Sequence, residues 1–503
     1  MSVIPYQAER FSRAYQDNGE MPDKPDSRKE FQMRNIDKIY IEGRFITPKG
    51  TETSDLHNPS TEEKIGTVRL AGVEDAQEAI AAAKRAFPSF SRTSKAERIE
   101  MLKRLNAVVG ARVTDLTEAM SLEYGAPQTF TRFAIPHAAS SFLTMASVLE
   151  DYEFERQIGR ARVVMQPSGV AAAITPWNSN IGFIASKLAT AIAAGSTIVI
   201  KPSEMSAIQT QILTECLHEA GLPKGVFNIV NGYGNVVGAE LSRHPDIAKV
   251  TFTGSSAVGR EIMRNAAESF KRVTLELGGK GPNIILDDAD LDVVIPAVLR
   301  MGFINSGQAC IAGTRILVPS QLLDDVLVRL KQEIETLKVG APNDPDAMIG
   351  PMVSRKQYDR VQSYIELGTQ EGARVLTGGI GRPAGLDRGW FARPTIFFDV
   401  DNHMRIAREE IFGPVLSVIA YRDEDEAVSI ANDTPYGLQA YLHGNDLGHM
   451  QALADRLDSG RVVINGAPHE PLAPFGGFKQ SGIGREYGVF GLEAFLEPKA
   501  VIV

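Results

Sequence analysis

The 503 residues hold only two cysteines, Cys216 and Cys310. Two thiols cannot form a disulfide framework, so a reducing compartment, the cytoplasm, is expected. Basic excess is missing as well: 53 Lys and Arg stand against 62 Asp and Glu, a net charge of −9. That balance argues against a general nucleic-acid binder, which needs a basic surface. The first twenty residues, MSVIPYQAERFSRAYQDNGE, have no apolar signal core and carry acids that a mitochondrial presequence avoids. Long apolar runs are absent too. The nearest, residues 182–200, is interrupted by Lys187 and by Gly195-Ser196, and it reads as a core helix followed by a buried strand rather than a membrane span. Short internal repeats and low-complexity linkers are lacking, and no metal site is expected. What is present is an ordinary globular composition, 43% hydrophobic and 23% charged, with 45 Gly and 27 Pro. At about 150 residues per domain this length suggests two to four domains.

Residues 1–35 are polar, with charges of both signs, and read as an extension carrying no chemistry. The clearest architecture lies at 169–276. Short β-prone runs at 169–175, 197–201, 226–230 and 249–253 alternate with helix-like stretches near 181–193, 205–220, 233–243 and 256–268. That alternation predicts βαβ units on a parallel sheet, and continuous apolar strands predict burial on both faces. After 276 the pattern returns. Strands are expected at 282–286, 315–318, 373–376, 415–420 and 461–464, and helices near 290–302, 321–337, 354–370, 424–431 and 447–458, making a second α/β unit. The chain ends in β-prone Val501-Ile502-Val503, which needs a partner strand, and another subunit could supply it.

Three glycine loops invite comparison with a dinucleotide fingerprint. Gly232–Gly238 (GYGNVVG) and Gly482–Gly488 (GIGREYG) are one residue too long and read more simply as turns. Gly254–Gly259 (GSSAVG) is better placed: it follows the strand KVTFT and enters a helix, offering N–H groups to a phosphate, or else it is an ordinary strand–helix turn. Lys201 and Glu204 sit at a strand end as a charged donor and acceptor suited to ribose hydroxyls; plain surface charges are the alternative.

Cys310 lies among small and polar residues, FINSGQAC, which suits a reactive thiol, whereas Cys216 sits in the apolar helical stretch ILTECLHEAG. Glu276 precedes Gly278-Gly279, which give a carboxylate room to swing and admit water, as a general base requires. Asn178 ends the strand turn TPWN, where its amide either donates to a developing oxyanion or caps the next helix. Asn178, Lys201 and Thr253–Ser255 all follow C-terminal strand ends of one expected sheet, the edge where α/β proteins bind ligands.

Eight motifs together resemble the aldehyde dehydrogenase superfamily in order and approximate spacing: TPWN (175–178), KPSE (201–204), FTGS (252–255), ELGGK (276–280), GQAC (307–310), EEIFGP (409–414), NDTPYGL (432–438) and PFGGFKQSGIGRE (474–486). The resemblance covers roughly residues 40–500. It implies an α/β fold with a Rossmann-like cofactor domain (37–149 and 169–278), an α/β catalytic domain (279–486) and a small β oligomerisation arm (150–168 and 487–503), after an N-terminal extension (1–36). It implies a homodimer or homotetramer, with no nucleic-acid or membrane partner. By position it makes Cys310 the nucleophile toward a small aldehyde, Asn178 and the Cys310 N–H the oxyanion donors, and Glu276 the base that hydrolyses the thioester. Lys187 matches a lysine linked to tuning the site's ionisation. NAD would be held by Thr175, Pro176, Trp177, Lys201, Ser203, Glu204, Gly234, Thr253, Gly254, Ser255, Gly259, Leu277, Glu410 and Phe412. A carboxylate at Glu204 repels a 2′-phosphate, so NAD is favoured over NADP. Glu276 also predicts water rather than CoA as the acyl acceptor.

The expected aldehyde pocket is formed by Ser179, Phe183, Ser186, Ala309, Ile311, His469 and Phe475. Its serines and His469 suggest a wider, more polar tunnel than one for aliphatic aldehydes, without an aromatic cage for a quaternary ammonium. No arginine stands among these positions, so a carboxylated semialdehyde is not indicated. Two other classes stay open: a thiol-dependent esterase, which needs no nucleotide, and a non-catalytic binding protein, which the intact Cys310 and Glu276 disfavour.

Overall fold

Two large sheets face each other edge to edge, and the chain passes directly from one to the other. The computed structural model describes residues 33–503; the polar extension expected over 1–36 lies almost wholly outside them. The first sheet has eight strands. Its five inner strands are parallel, in the spatial order Arg272–Glu276, Ile247–Thr253, Val170–Ile174, Ile198–Lys201, Phe227–Ile229. Val170–Ile174 reads VAAAI and is buried throughout, as a strand covered by helices on both faces must be. Antiparallel strands close the two edges: Gly482–Ile483 beside Arg272–Glu276, and the pair Ile39–Ile41 and Arg44–Ile46 beside Phe227–Ile229.

The chain moves from Val170–Ile174 outward to Phe227–Ile229, then returns to place Ile247–Thr253 on the other side of Val170–Ile174. This reversal creates a switch point at the C-terminal ends of those two strands, the crevice where open α/β sheets bind ligands. The helix Asn180–Ala194 and the strand Ile198–Lys201 occupy the run considered as a membrane span, and Gly195 (φ 83°) ends the helix in the left-handed conformation that suits glycine. Among the described residues no helix is long and apolar enough to cross a membrane.

The second sheet has seven strands in the order Arg374–Thr377, Thr395–Phe398, Val415–Tyr421, Arg315–Pro319, Pro282–Ile285, Gln439–His443, Arg461–Ile464, all parallel except the first. Five of these strands follow the sequence reading within a residue or so. Thr395–Phe398 and Gln439–His443 do not: the latter, QAYLH, alternates polar and apolar residues yet is buried at every position, so local hydrophobicity does not reveal it. Glu276 ends a strand of the first sheet and Pro282 begins one of the second, so the C-terminal edge of one sheet meets the N-terminal edge of the other.

A third, three-stranded sheet pairs Leu496–Ile502 with Ala161–Pro167, and that strand with Glu155–Ile158. The terminal strand thus pairs within its own chain, in full register from Leu496↔Pro167 to Ile502↔Ala161, with the arm near 150–168 that the family resemblance implied as its partner.

Candidate active site

Cys310 is presented by an unusual loop. Asn305 (φ 52°), Ser306 (φ 60°) and Gly307 (φ 73°) are consecutive left-handed residues, a conformation two non-glycine residues adopt only when their surroundings hold them there. Ser306 Oγ accepts the Gly350 N–H (2.8 Å), Gln308 Oε1 accepts the Val353 N–H (3.0 Å), and Gln308 Nε2 donates to the Pro351 carbonyl (3.2 Å). A side chain at Gly307 would meet the Gly413 carbonyl oxygen at 2.2 Å, so glycine is required. Cys310 itself is partly exposed, on a cavity of about 620 Å³ that Asn178, Thr253 and Glu276 also line. Burial, then the charges of Glu410 and Glu276, push its thiol up to about 12, while its own backbone N–H and that of Ile311 pull the other way. Cys216, by contrast, is buried in the helix Ala207–Glu219, its thiol pushed up to about 11.

Asn178 does not cap the following helix. Ser179 occupies the cap position, while Asn178 Nδ2 donates to the Gln308 carbonyl (3.0 Å) and Asn305 Nδ2 donates to the Asn178 carbonyl (3.1 Å). The amide is thereby locked beside the nucleophile's loop. Glu276 is buried, and among the described residues neither of its carboxylate oxygens has a hydrogen-bond partner. Burial, reinforced by Glu486, holds its pKa well above the ordinary carboxylate range, with Lys187 and Arg485 opposing. A side chain on Gly476 would stand 2.8 Å from Glu276 Oε1, so Gly476 keeps room for this carboxylate.

Lys187 does not line the cavity. Its buried ammonium pairs with Glu486, which also accepts from Thr251 Oγ1 (3.1 Å), so Lys187 reaches Glu276 only through the field of that pair.

Thr175–Trp177 and Gly254–Ser255 follow the two strands of the switch point, and the other expected cofactor residues come from neighbouring strand ends and from the second sheet. Thr175 Oγ1 donates to Asn180 Oδ1 (2.9 Å) and its N–H to the Lys201 carbonyl (3.0 Å), fixing the turn that carries Pro176 and Trp177. Lys201 Nζ lies 3.5 Å from Glu204 Oε2, a buried donor beside a partly exposed acceptor, and burial lowers the lysine's pKa. Ser203 caps the short turn Glu204–Ser206, and Ser255 caps the helix Ser256–Ala267. Gly254 and Gly259 have no room for a side chain, which would meet the Phe252 ring at 2.4 Å and Leu277 at 2.8 Å. Gly234 is exposed at the start of the turn Gly234–Gly238, where nothing crowds it. Glu410 accepts the Gly279 N–H (3.0 Å), and burial raises its pKa to about 6. Phe412 (φ 63°) meets the Trp177 ring edge-on at 5.6 Å.

The family model for the aldehyde dehydrogenase family matches residues 45–501. The chain belongs to the aldehyde dehydrogenase family. It is 46% identical to a 3-succinoylsemialdehyde-pyridine dehydrogenase of a Pseudomonas species, over 93% of this chain and 99% of that one. It superposes on a mutant of aldehyde dehydrogenase C from Pseudomonas syringae, solved with NAD+ and octanal, with a TM-score of 0.92 and 43% identity, covering 93% and 96% of the two chains. An NAD+ complex of a Mycobacterium tuberculosis aldehyde dehydrogenase gives a TM-score of 0.91 at 39% identity, covering 94% and 99%. The α/β class with a Rossmann-like sheet, expected from sequence, is the fold of these neighbours.

The aldehyde dehydrogenase's cavity differs from its sequence expectation in three respects. Ser179, Phe183, Ala309, Ile311, His469 and Phe475 line it, but Ser186 does not. One helical turn beyond Phe183, Ser186 falls behind a wall of His137, His469 and Tyr487, and its hydroxyl donates to the Phe183 carbonyl (3.3 Å). The tunnel is also aromatic rather than polar: Phe130 and Phe133 from the helix Gln128–Asp151, with Phe303, Tyr441 and Tyr487, join Phe183 and Phe475. Finally, Arg300 and Arg461 line it, against the expectation of no arginine. Phe303, Tyr441 and Tyr487 stand beside the motifs in sequence, whereas Phe130, Phe133 and Arg461 lie apart from them and are brought in by the packing of a helix and a strand.

Proposed function

We propose that this aldehyde dehydrogenase converts an aldehyde, water and NAD+ to a carboxylate, NADH and two protons, with Cys310 as nucleophile and Glu276 as base. The carrying observation is the meeting of Cys310, Asn178 and Glu276 on one cavity wall. Cys310 Sγ, on losing its proton, bonds to the aldehyde carbon. The oxyanion formed is taken by Asn178 Nδ2, whose second hydrogen is not needed by Gln308, and by the Cys310 N–H. NAD, when bound, supplies the acceptor for the hydride that leaves this carbon. The resulting thioester is opened by water after Glu276 removes a proton; the C–S bond breaks and the thiolate is regenerated. Glu276, with neither oxygen partnered among the described residues, is suited to that water, which favours hydrolysis over transfer to CoA.

The cradle fits the cofactor. Gly254 and the Ser255-capped helix offer N–H groups to a pyrophosphate, Lys201 and Glu204 suit the adenosine ribose, and Glu410 the other ribose. Glu204 favours NAD over NADP. Lys187 acts as a positioning residue through Glu486. The free edge of the sheet formed by 155–167 and 496–502 supports a homodimer or homotetramer, with the cytoplasm as the compartment.

The deciding experiment is NADH formation from hexanal, with NADP in a parallel arm. NAD should give the higher kcat/KM, and Cys310→Ser should abolish turnover; an undiminished rate in that variant overturns the assignment.

A further inference from the structure

The substrate cavity carries a charge that this chemistry does not use. Arg461 and Val463 alternate onto one face of their strand, and Gln439 and Tyr441 onto the same face of the next, in the register Gln439↔Arg461 and Tyr441↔Val463. All four line the cavity. Tyr441 is tied to the nucleophile's loop, its hydroxyl donating to the Ile311 carbonyl (2.8 Å), so Arg461 stands one strand away from a direct contact with the residue after Cys310. Its guanidinium carbon lies 6.0 Å from the Phe475 ring centroid.

Among the described residues, Arg461 has no ion-pair or hydrogen-bond partner for its guanidinium. The titratable groups that face it are Tyr441, Tyr487, His137, His469 and Glu470. Glu470 is exposed and already accepts the Leu472 N–H (3.0 Å). Both histidines are held below their ordinary range, His469 to about 3, by burial first and then by Arg461, so they add no charge. Glu276, the cavity's carboxyl, is pushed up by its own burial. The fixed charges are therefore cations: Arg461 within, and Arg300 at the exposed rim. A half-buried guanidinium without an ion-pair partner has lost part of its hydration and gains when an anion meets it, and a carboxylate matches its planar fork. One unpaired positive charge calls for one negative charge.

We propose that this cavity selects aldehydes bearing a carboxylate at the end remote from the carbonyl, held by the Arg461 guanidinium. The proposal rests on Cys310 as the nucleophile, since that fixes which end of the substrate is the aldehyde.

The test compares unbranched ω-oxo carboxylates of four to nine carbons with their methyl esters and with the uncharged aldehydes of the same length. At the best length the acid should exceed both in kcat/KM by at least tenfold, chiefly through KM. Arg461→Gln should collapse that ratio at least tenfold, and Arg461→Lys should restore part of it. Equal or lower kcat/KM for the acid at every length, or a ratio that Arg461→Gln leaves intact, overturns the proposal while leaving aldehyde oxidation standing. Calorimetry on the unaltered protein reads the same site without turnover or mutation. Straight-chain monocarboxylates should bind at least tenfold more tightly than their uncharged primary amides, and equal affinity overturns the proposal. Failure of every aldehyde to yield NADH would instead count against the catalytic reading.

Discussion

Replacing Asn178 by alanine separates a catalytic role from a structural one. Asn178 Nδ2 donates one hydrogen bond, to the Gln308 carbonyl at 3.0 Å, and Asn305 Nδ2 donates to that same carbonyl at 3.3 Å. The carbonyl therefore keeps a donor in the variant, and the Gln308 side chain still ties the loop to Pro351 and Val353. The folding cost is that of a single satisfied hydrogen bond, about 1 kcal/mol, or a Tm shift of only a few degrees in a chain this long. The loss in the transition state is larger, because a preorganised donor to an oxyanion in a site shielded from water contributes about 2.7–4 kcal/mol. At about 1.4 kcal/mol per tenfold, that is a fall of roughly 100- to 1,000-fold in kcat/KM. Stopped-flow measurement of the first NADH turnover, alongside a thermal melt, reads both quantities. A fall in kcat/KM below fivefold in a protein that melts normally would refute the oxyanion role.

Glu276→Gln should preserve a first-turnover burst of NADH while slowing the steady state roughly 100- to 10,000-fold; loss of the burst would place Glu276 before hydride transfer instead. Because Glu276 must be deprotonated to act and its pKa is held well above the carboxylate range, deacylation-limited kcat should rise with pH through that raised value, and a rate already at plateau at pH 5 contradicts it. The same proton is held more tightly folded than unfolded, so Glu276's contribution to stability is lost as pH rises through the raised pKa, visible as a Tm that Glu276→Gln makes less pH-dependent. In the protein without NAD, a Cys310 thiol near 12 should react with iodoacetamide at pH 7.5 at least roughly a hundredfold more slowly than a free thiol, as followed by peptide mass mapping. Gly278→Ala would set a methyl group 2.5 Å from Glu410 Oε2, and should raise the KM for NAD roughly tenfold; an unchanged KM would remove Glu410 from the cofactor site.

Much of this aldehyde dehydrogenase was legible before folding. Val170–Ile174 and Ile198–Lys201 are continuous apolar runs between helical stretches, and a strand buried on both faces leaves that local signature. The neighbours of Cys310, Glu276 and Asn178 left structural alternatives open for each, and the ordered family motifs around them singled out all three. Gln439–His443 and Arg461 did not stand out, since nothing in QAYLH or in Arg-Val-Val-Ile says which face of which strand looks into a cavity. Ser186 was misplaced for a related reason: helical spacing gives its face, but not how far along that face the cavity reaches.

The terminal Val501-Ile502-Val503 shows the division most simply. Its β-prone residues by themselves determined that a strand was there and that it needed a partner. The family resemblance pointed to the arm near 150–168, and only tertiary structure decided the register, Leu496↔Pro167 to Ile502↔Ala161, within one chain. The charge of the substrate cavity divides in the same way. Sequence determined that Cys310 sits among small and polar neighbours. Packing of two strands 22 residues apart set an arginine in the same cavity, because electrostatic surroundings are summed over space and not along the chain.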